Sequence, residues 1–195
     1  RLVQEIAQMG GLAEEQLAQA IDALARRDSE AATKVIESDR RIDTMEHDAG
    51  NLAVRILALR QPMATDLREV VAAIKISSDI ERIGDYAKNI AKRALQLNQL
   101  GPLRPVSSIP RMGKLAQQIV KDVLDAYVEK DAALALAAWR RDEEIDDLYT
   151  SLFRELLTYM MEDPRNIGPS THLLFIAKNI ERIGDHATNI AETVH

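Results

Sequence analysis

Ile80-Glu81-Arg82-Ile83-Gly84-Asp85-Tyr86-Ala87-Lys88-Asn89-Ile90-Ala91 returns one hundred residues later as Ile180-Glu181-Arg182-Ile183-Gly184-Asp185-His186-Ala187-Thr188-Asn189-Ile190-Ala191, with ten of the twelve positions identical. A match of that length does not arise by chance in 195 residues, so the chain is one unit written twice. Within each copy the isoleucines and alanines recur every three or four residues, Ile76, Ile80, Ile83, Ala87, Ile90 and Ala94 in one and Ile176, Ile180, Ile183, Ala187, Ile190 and Val194 in the other. That period is the apolar stripe of an α-helix packed against neighbours.

The repeat extends upstream. Asp28 answers to Asp131, and Asp39-x-x-Ile42-Asp43 to Asp142-x-x-Ile145-Asp146, at a constant offset of 103. Apolar periodicity predicts helices over 2–27, 30–59, 65–97, 111–130, 131–162 and, after the breaks at Asp163-Pro164 and Gly168-Pro169, a sixth to the end. Val35, Ile42, Met45, Ala49, Leu52, Ile56 and Leu59 form the seam of the second. Gly10-Gly11 is a weak point in the first, Asp28-Ser29 supplies N-cap chemistry, Pro62 ends the second helix, and Thr65 or Asp66 caps the third. Gly101, Pro102, Pro105, Ser107, Ser108 and Pro110 read as a linker. Each amphipathic helix can bury its stripe only against others. The expected architecture is therefore all-α, two tandem three-helix bundles, with repeats over 1–101 and 102–195. Gly84 and Gly184 carry a propensity cost inside their helices, which implies close approach of a neighbour.

Composition narrows the function. Hydrophobic content of 46% with 29% charged residues fits a folded globular chain, and a net charge of −6 excludes a binder of nucleic-acid backbones. There is no cysteine, so disulfides and thiolate metal sites are excluded. No apolar run approaches the roughly 18 residues of a membrane span, and no signal peptide is visible, so a cytoplasmic location is expected. Arg1 already lies inside a helical pattern, and natural first turns are expected ahead of it.

Residues four apart on a helix differ by about 40° and about 6 Å of rise. Glu81, Asp85 and Asn89 thus form one polar stripe, opposite the isoleucine seam and facing out of the bundle. Asp39, Asp43 and His47 share that spacing, also off their seam, and Asp142 and Asp146 against Glu181, Asp185 and Asn189 repeat the arrangement. Paired carboxylates on neighbouring helices repel unless a cation separates them. Oxygen donors suit Mg²⁺, Mn²⁺, Ca²⁺ or iron, and the single His47 does little for zinc. The plainer reading is a solvated face with Arg82 and Arg182 in local ion pairs; fourfold repetition favours the metal. No phosphate loop, dinucleotide fingerprint or nucleophile elbow is present, and Glu-x-x-His occurs once, as Glu192-x-x-His195. His172 and His186 are expected to cap or pack near the sixth helix, and Trp139 to lie in the core or an interface.

Asp66-Leu67-Arg68, the run Ile74 to Asp85, and the run Leu173 to Glu192 together closely resemble the PhoU family, accessory proteins of bacterial phosphate-specific transport, over essentially the whole chain. The resemblance implies two three-helix bundles and surface metal clusters of iron or zinc at Asp39, Asp43, Glu81 and Asp85 and at Asp142, Asp146, Glu181 and Asp185; the oxygen donors themselves keep manganese and magnesium as candidates. It also implies a non-enzymatic negative regulator of phosphate-starvation signalling. Such an adaptor would link the ATPase subunit of the phosphate ABC transporter to the regulon's sensor histidine kinase, reach the membrane only through those partners, and form a homodimer. Metal storage or di-iron redox chemistry, or a purely structural scaffold, are the competing readings. Asp66-Leu67-Arg68 has no clear counterpart before the sixth helix, so the halves need not act alike.

Overall fold

The structure, a computed structural model, describes residues 1–60, 63–101 and 108–195. All regular structure among them is helical: α1 (Leu2–Arg26), α2 (Ser29–Arg60), α3 (Ala64–Asn98), α4 (Ser108–Glu129), α5 (Ala132–Glu162) and α6 (Ile167–Val194), with a 3₁₀ turn at Pro164–Asn166 before α6. Helices α1, α2 and α3 pack on one another, as do α4, α5 and α6, and the two bundles meet chiefly along α3 and α6. The expected stop at Pro62, most of the linker, and the residues just after the expected boundary at 101/102 lie outside the described residues.

The same turn is built twice. Arg27 and Lys130 take left-handed backbone angles, φ 54° and 57°, and close α1 and α4. The amides of the next residues, Asp28 and Asp131, reach back to Ala23 and Ala126, both at 2.9 Å. Those aspartates then cap the following helix, each accepting at 3.0 Å from the amide three residues on, Ala31 or Leu134. The third helix differs from expectation: its N-cap is Met63, without a side-chain cap, and Asp66 sits in the first turn, where its charge complements the helix dipole.

Both isoleucine stripes are buried: Ile76, Ile80, Ile83 and Ile90, and Ile176, Ile180, Ile183 and Ile190, are all 0% exposed. The α2 seam is buried at Val35, Ile42 and Ala49 but not at Leu59, which is 77% exposed because the last turns of α2 run past the core. Gly10-Gly11 does not interrupt α1. Gly10 is instead a contact point, where a Cβ would meet Leu124 of α4 at 2.9 Å. Gly113, its repeat partner, meets Ile21 of α1 at 2.9 Å, and Ile21 is the repeat partner of Leu124. Such reciprocal contacts are the mark of a pseudo-twofold axis. The α3–α6 junction obeys it as well: Asn89 donates to Asn179 at 3.4 Å and Asn189 to Asp79 at 3.5 Å. Tyr86 and His186, a single repeat position, stack on each other near the axis with ring centroids 5.6 Å apart.

Candidate metal centres

Gly84 and Gly184 let α2 and α5 come close to α3 and α6. A Cβ at 84 would lie 3.1 Å from Ile42 Cδ1 and 3.3 Å from Asp39 Oδ1, and one at 184 would strike Asp142 Oδ1 outright. Each glycine therefore admits a carboxylate against the neighbouring backbone. This confirms the expected close approach and gives it a further role, since the admitted residue is the first carboxylate of the cluster.

In the first half Asp39, Asp43 and Asp85 bring one carboxylate oxygen each to within 4.8 Å of the others. Glu81 completes the four residues anticipated from sequence, through a side-chain hydrogen bond with Asp85. Burial, that bond, and the charges of Asp85, Glu46 and Asp43 push the Glu81 carboxyl up to about 8. Glu46 is a fifth member that sequence reading missed. Its Oε2 is buried without a partner, and its carboxyl too is raised by burial, Asp43 and Asp85. His47 is exposed and not among the converging atoms.

Asp39 corrects the expectation that both stripes face outward. It is 2% exposed and shares the buried face of α2 with Ala32, Val35 and Ile42, because α1 as well as α3 covers that face. Gln16 of α1 donates to Asp39 Oδ1 at 3.1 Å and to the Gly84 carbonyl at 3.2 Å, and Lys88 Nζ stands 3.8 Å from Asp39 Oδ2. The cluster lines the α2–α3 groove with one buried wall.

The second half repeats the cluster with other neighbours. Burial, then Asp146, Asp185 and Glu181, push the Asp142 carboxyl up to about 7, and its Oδ1 is buried without a partner. Asp146 is raised by burial, by the charges of Glu181 and Asp185 and by a hydrogen bond with Glu181. Asp185 is raised by burial and Glu181, against the lowering effect of Lys178, His186 and Arg182. All four anticipated residues thus interact. Among the described residues, however, only the first half brings three carboxylate oxygens within 4.8 Å.

Two orphaned carboxylate oxygens, glycine cradles beside Asp39 and Asp142 and an all-oxygen donor set fit hard cations. The same crowding has a pH signature. Glu81 and Asp142 titrate higher in the folded chain than in the unfolded one, so the folded state holds more protons between about pH 4 and about pH 8. Their contribution to stability is present below about pH 4 and lost as the pH rises through 7 to 8. In chelator, the melting temperature should fall between pH 5 and pH 8, and saturating Mn²⁺ should flatten the fall.

The remaining singled-out residues act elsewhere. His186 Nδ1 is 2.9 Å from Asp79 Oδ1, and His172 Nδ1 is 3.3 Å from Arg93. Both tie α6 to α3. Arg82 pairs with Asp85 at 3.6 Å as expected, and also donates to Tyr86 at 2.8 Å. Trp139 is not a core residue: it is 45% exposed and donates at 3.2 Å to Glu192, the glutamate of the lone Glu-x-x-His.

The chain matches the family model described as "PhoU domain" twice, over residues 6–94 and 109–194. It is 57% identical over 195 residues, all of this chain and 85% of the relative, to the phosphate-specific transport system accessory protein PhoU homolog of Caulobacter vibrioides. It is 44% identical to the phosphate-specific transport system accessory protein PhoU of Serratia marcescens, over 97% of this chain and 78% of the relative. The crystal structure of PhoU from Pseudomonas aeruginosa superposes with a TM-score of 0.96 at 43% identity, covering 99% of this chain and 93% of that one. The phosphate transport system regulatory protein PhoU from Streptococcus pneumoniae gives 0.91 at 33%, over 99% and 91%. With the family model matched in both bundles and relatives of this identity covered over most of their length, the chain belongs to the PhoU family.

Proposed function

We propose that this protein is a non-enzymatic regulator of phosphate uptake. When phosphate is plentiful it restrains starvation signalling by linking the ATPase subunit of a phosphate ABC transporter to the sensor histidine kinase of the phosphate regulon. The observation that carries this reading is identity of 57% across the whole chain to an accessory protein of phosphate-specific transport. A cytoplasmic setting and homodimer formation belong to the same reading. No helix among the described residues is long and apolar enough to cross a membrane, in keeping with membrane access through partners.

In this reading Asp39, Asp43, Glu81 and Asp85, joined by Glu46, hold metal in one half, and Asp142, Asp146, Glu181 and Asp185 in the other. Iron, zinc, manganese and magnesium are the candidates. Oxygen-only donors support manganese, magnesium or iron over zinc. The test is genetic. Deleting the gene should derepress phosphate-scavenging genes in phosphate-rich medium, and expression that stays repressed would sink the regulatory reading.

A further inference from the structure

The two carboxylate clusters come from one repeated motif, yet the repeat partners of the surrounding residues differ in charge. At the position of Glu46 the second half has Tyr149, at Ser78 it has Lys178, at Lys88 it has Thr188, and at Gln16 it has Ile119. The glutamate that opens the motif is the residue most affected. Glu81 forms no ion pair among the described residues, and its hydrogen bond goes to another carboxyl, that of Asp85. Glu181 instead accepts a hydrogen bond from the Lys178 ammonium, which also lies 5.4 Å from the Tyr149 ring centroid, over its face.

The arginines do not create this difference, because Arg82 pairs with Asp85 and Arg182 acts on Asp185 in the same sense. Lys88 does not cancel it either. That lysine stands 3.8 Å from Asp39 Oδ2, on the buried wall of the first cluster, and forms no ion pair with Asp43, Glu46, Glu81 or Asp85 among the described residues. The first cluster therefore sets five carboxyls around a groove in which Arg82 pairs with Asp85 and Lys88 with Asp39, while Glu81 meets only other carboxyls. The second sets four, and there the matching glutamate, Glu181, already holds a cation.

We infer that Lys178 serves as a built-in cation of the second cluster, so that the two halves bind metal with unequal strength and the first fills before the second. The inference rests on the proposal that the clusters take metal ions, and adds an order and a controlling residue. A metal ion entering the second half must displace the ammonium from Glu181 and break a charge-assisted hydrogen bond, a cost absent at Glu81, since the first-half cations stand at longer range, Lys88 3.8 Å from Asp39 and Arg82 3.6 Å from Asp85. The Lys178 side chain is 41% exposed, so it can swing into water when displaced. It is a residue that tunes the site and not a ligand, and Tyr149 keeps its resting position above Glu181.

The test is Mn²⁺ titration of the full chain followed by electron paramagnetic resonance. The Asp43→Asn/Asp85→Asn and Asp146→Asn/Asp185→Asn variants assign each class of site to its half. In the unaltered protein the first-half class should be the tighter. Lys178→Ser, which installs the first half's residue, should strengthen second-half binding by about tenfold, or reveal a second class where none was measurable, and leave the first-half class unchanged. Lys178→Arg, which keeps a cation on Glu181, should not strengthen it. Second-half affinity that does not change in Lys178→Ser, or a second half that is the tighter one beforehand, would overturn the inference while leaving the metal reading intact. Absence of bound Mn²⁺ in every variant, Lys178→Ser included, would overturn both.

Discussion

Ile83→Ala and Ile183→Ala are each expected to lower the free energy of unfolding by about 3 kcal/mol, read from urea denaturation. Both side chains are 0% exposed, and both belong to helices that serve two interfaces at once, the three-helix bundle of their own half and the junction with the other. Truncation removes three carbons from a site walled by helices already drawn close at Gly84 or Gly184. The walls cannot collapse onto the gap without moving Ile42 or Ile145, which fill the same approach. The cost is then lost transfer energy plus a residual cavity. Leu59→Ala is the contrast: the residue sits on a helical period like the others but is 77% exposed, and its truncation should cost less than about 0.5 kcal/mol.

The Asp43→Asn/Asp85→Asn double variant is expected to weaken Mn²⁺ binding to the first half by about 100-fold or more, because it removes both charges while keeping the side-chain shapes. Two of the three converging oxygens belong to these residues, and they are also among the charges that hold the Glu81 carboxyl near 8. The same substitution should therefore raise the stability of the metal-free protein at pH 8 relative to the unaltered chain. It should also shrink the loss of stability between pH 5 and pH 8, since Glu81 is then less disfavoured in its charged form. Weaker metal binding together with a more stable apo-protein is a combination that simple damage to the fold does not produce.

The helices were legible in sequence because every one of them has to bury a stripe, and a stripe repeats at the helical period whatever lies opposite. The carboxylate positions were legible for a different reason. Written twice at fixed offsets, they stood out from the scattered charges of any exposed face. Asp39 was misplaced because counting 100° per residue locates one neighbour, the helix across the isoleucine seam, and says nothing of a second neighbour such as α1. Once α1 covers that face, Asp39 is interior and Gln16 is its partner. Glu46 could have been found, since it lies three residues from Asp43 and seven from Asp39 on one face of α2. Lys178 could also have been found, since it stands three residues before Glu181, a spacing that lets the two side chains meet. Its second contact, with the Tyr149 ring of α5, is tertiary and has no local signal. The contacts between halves, Asp79 with His186 and Gly10 with Leu124, were out of reach because pairing of the two copies is a tertiary outcome that no local period encodes.

The role proposed for the repeated carboxylates is to hold a cation between them. Crystals of the protein grown with Mn²⁺ and measured at the manganese absorption edge test it directly. The expected result is an anomalous peak in the α2–α3 groove about 2.2 Å from oxygens of Asp43 and Asp85, with Asp39 alongside. A map without a peak at either cluster, from protein saturated with the ion, would contradict it.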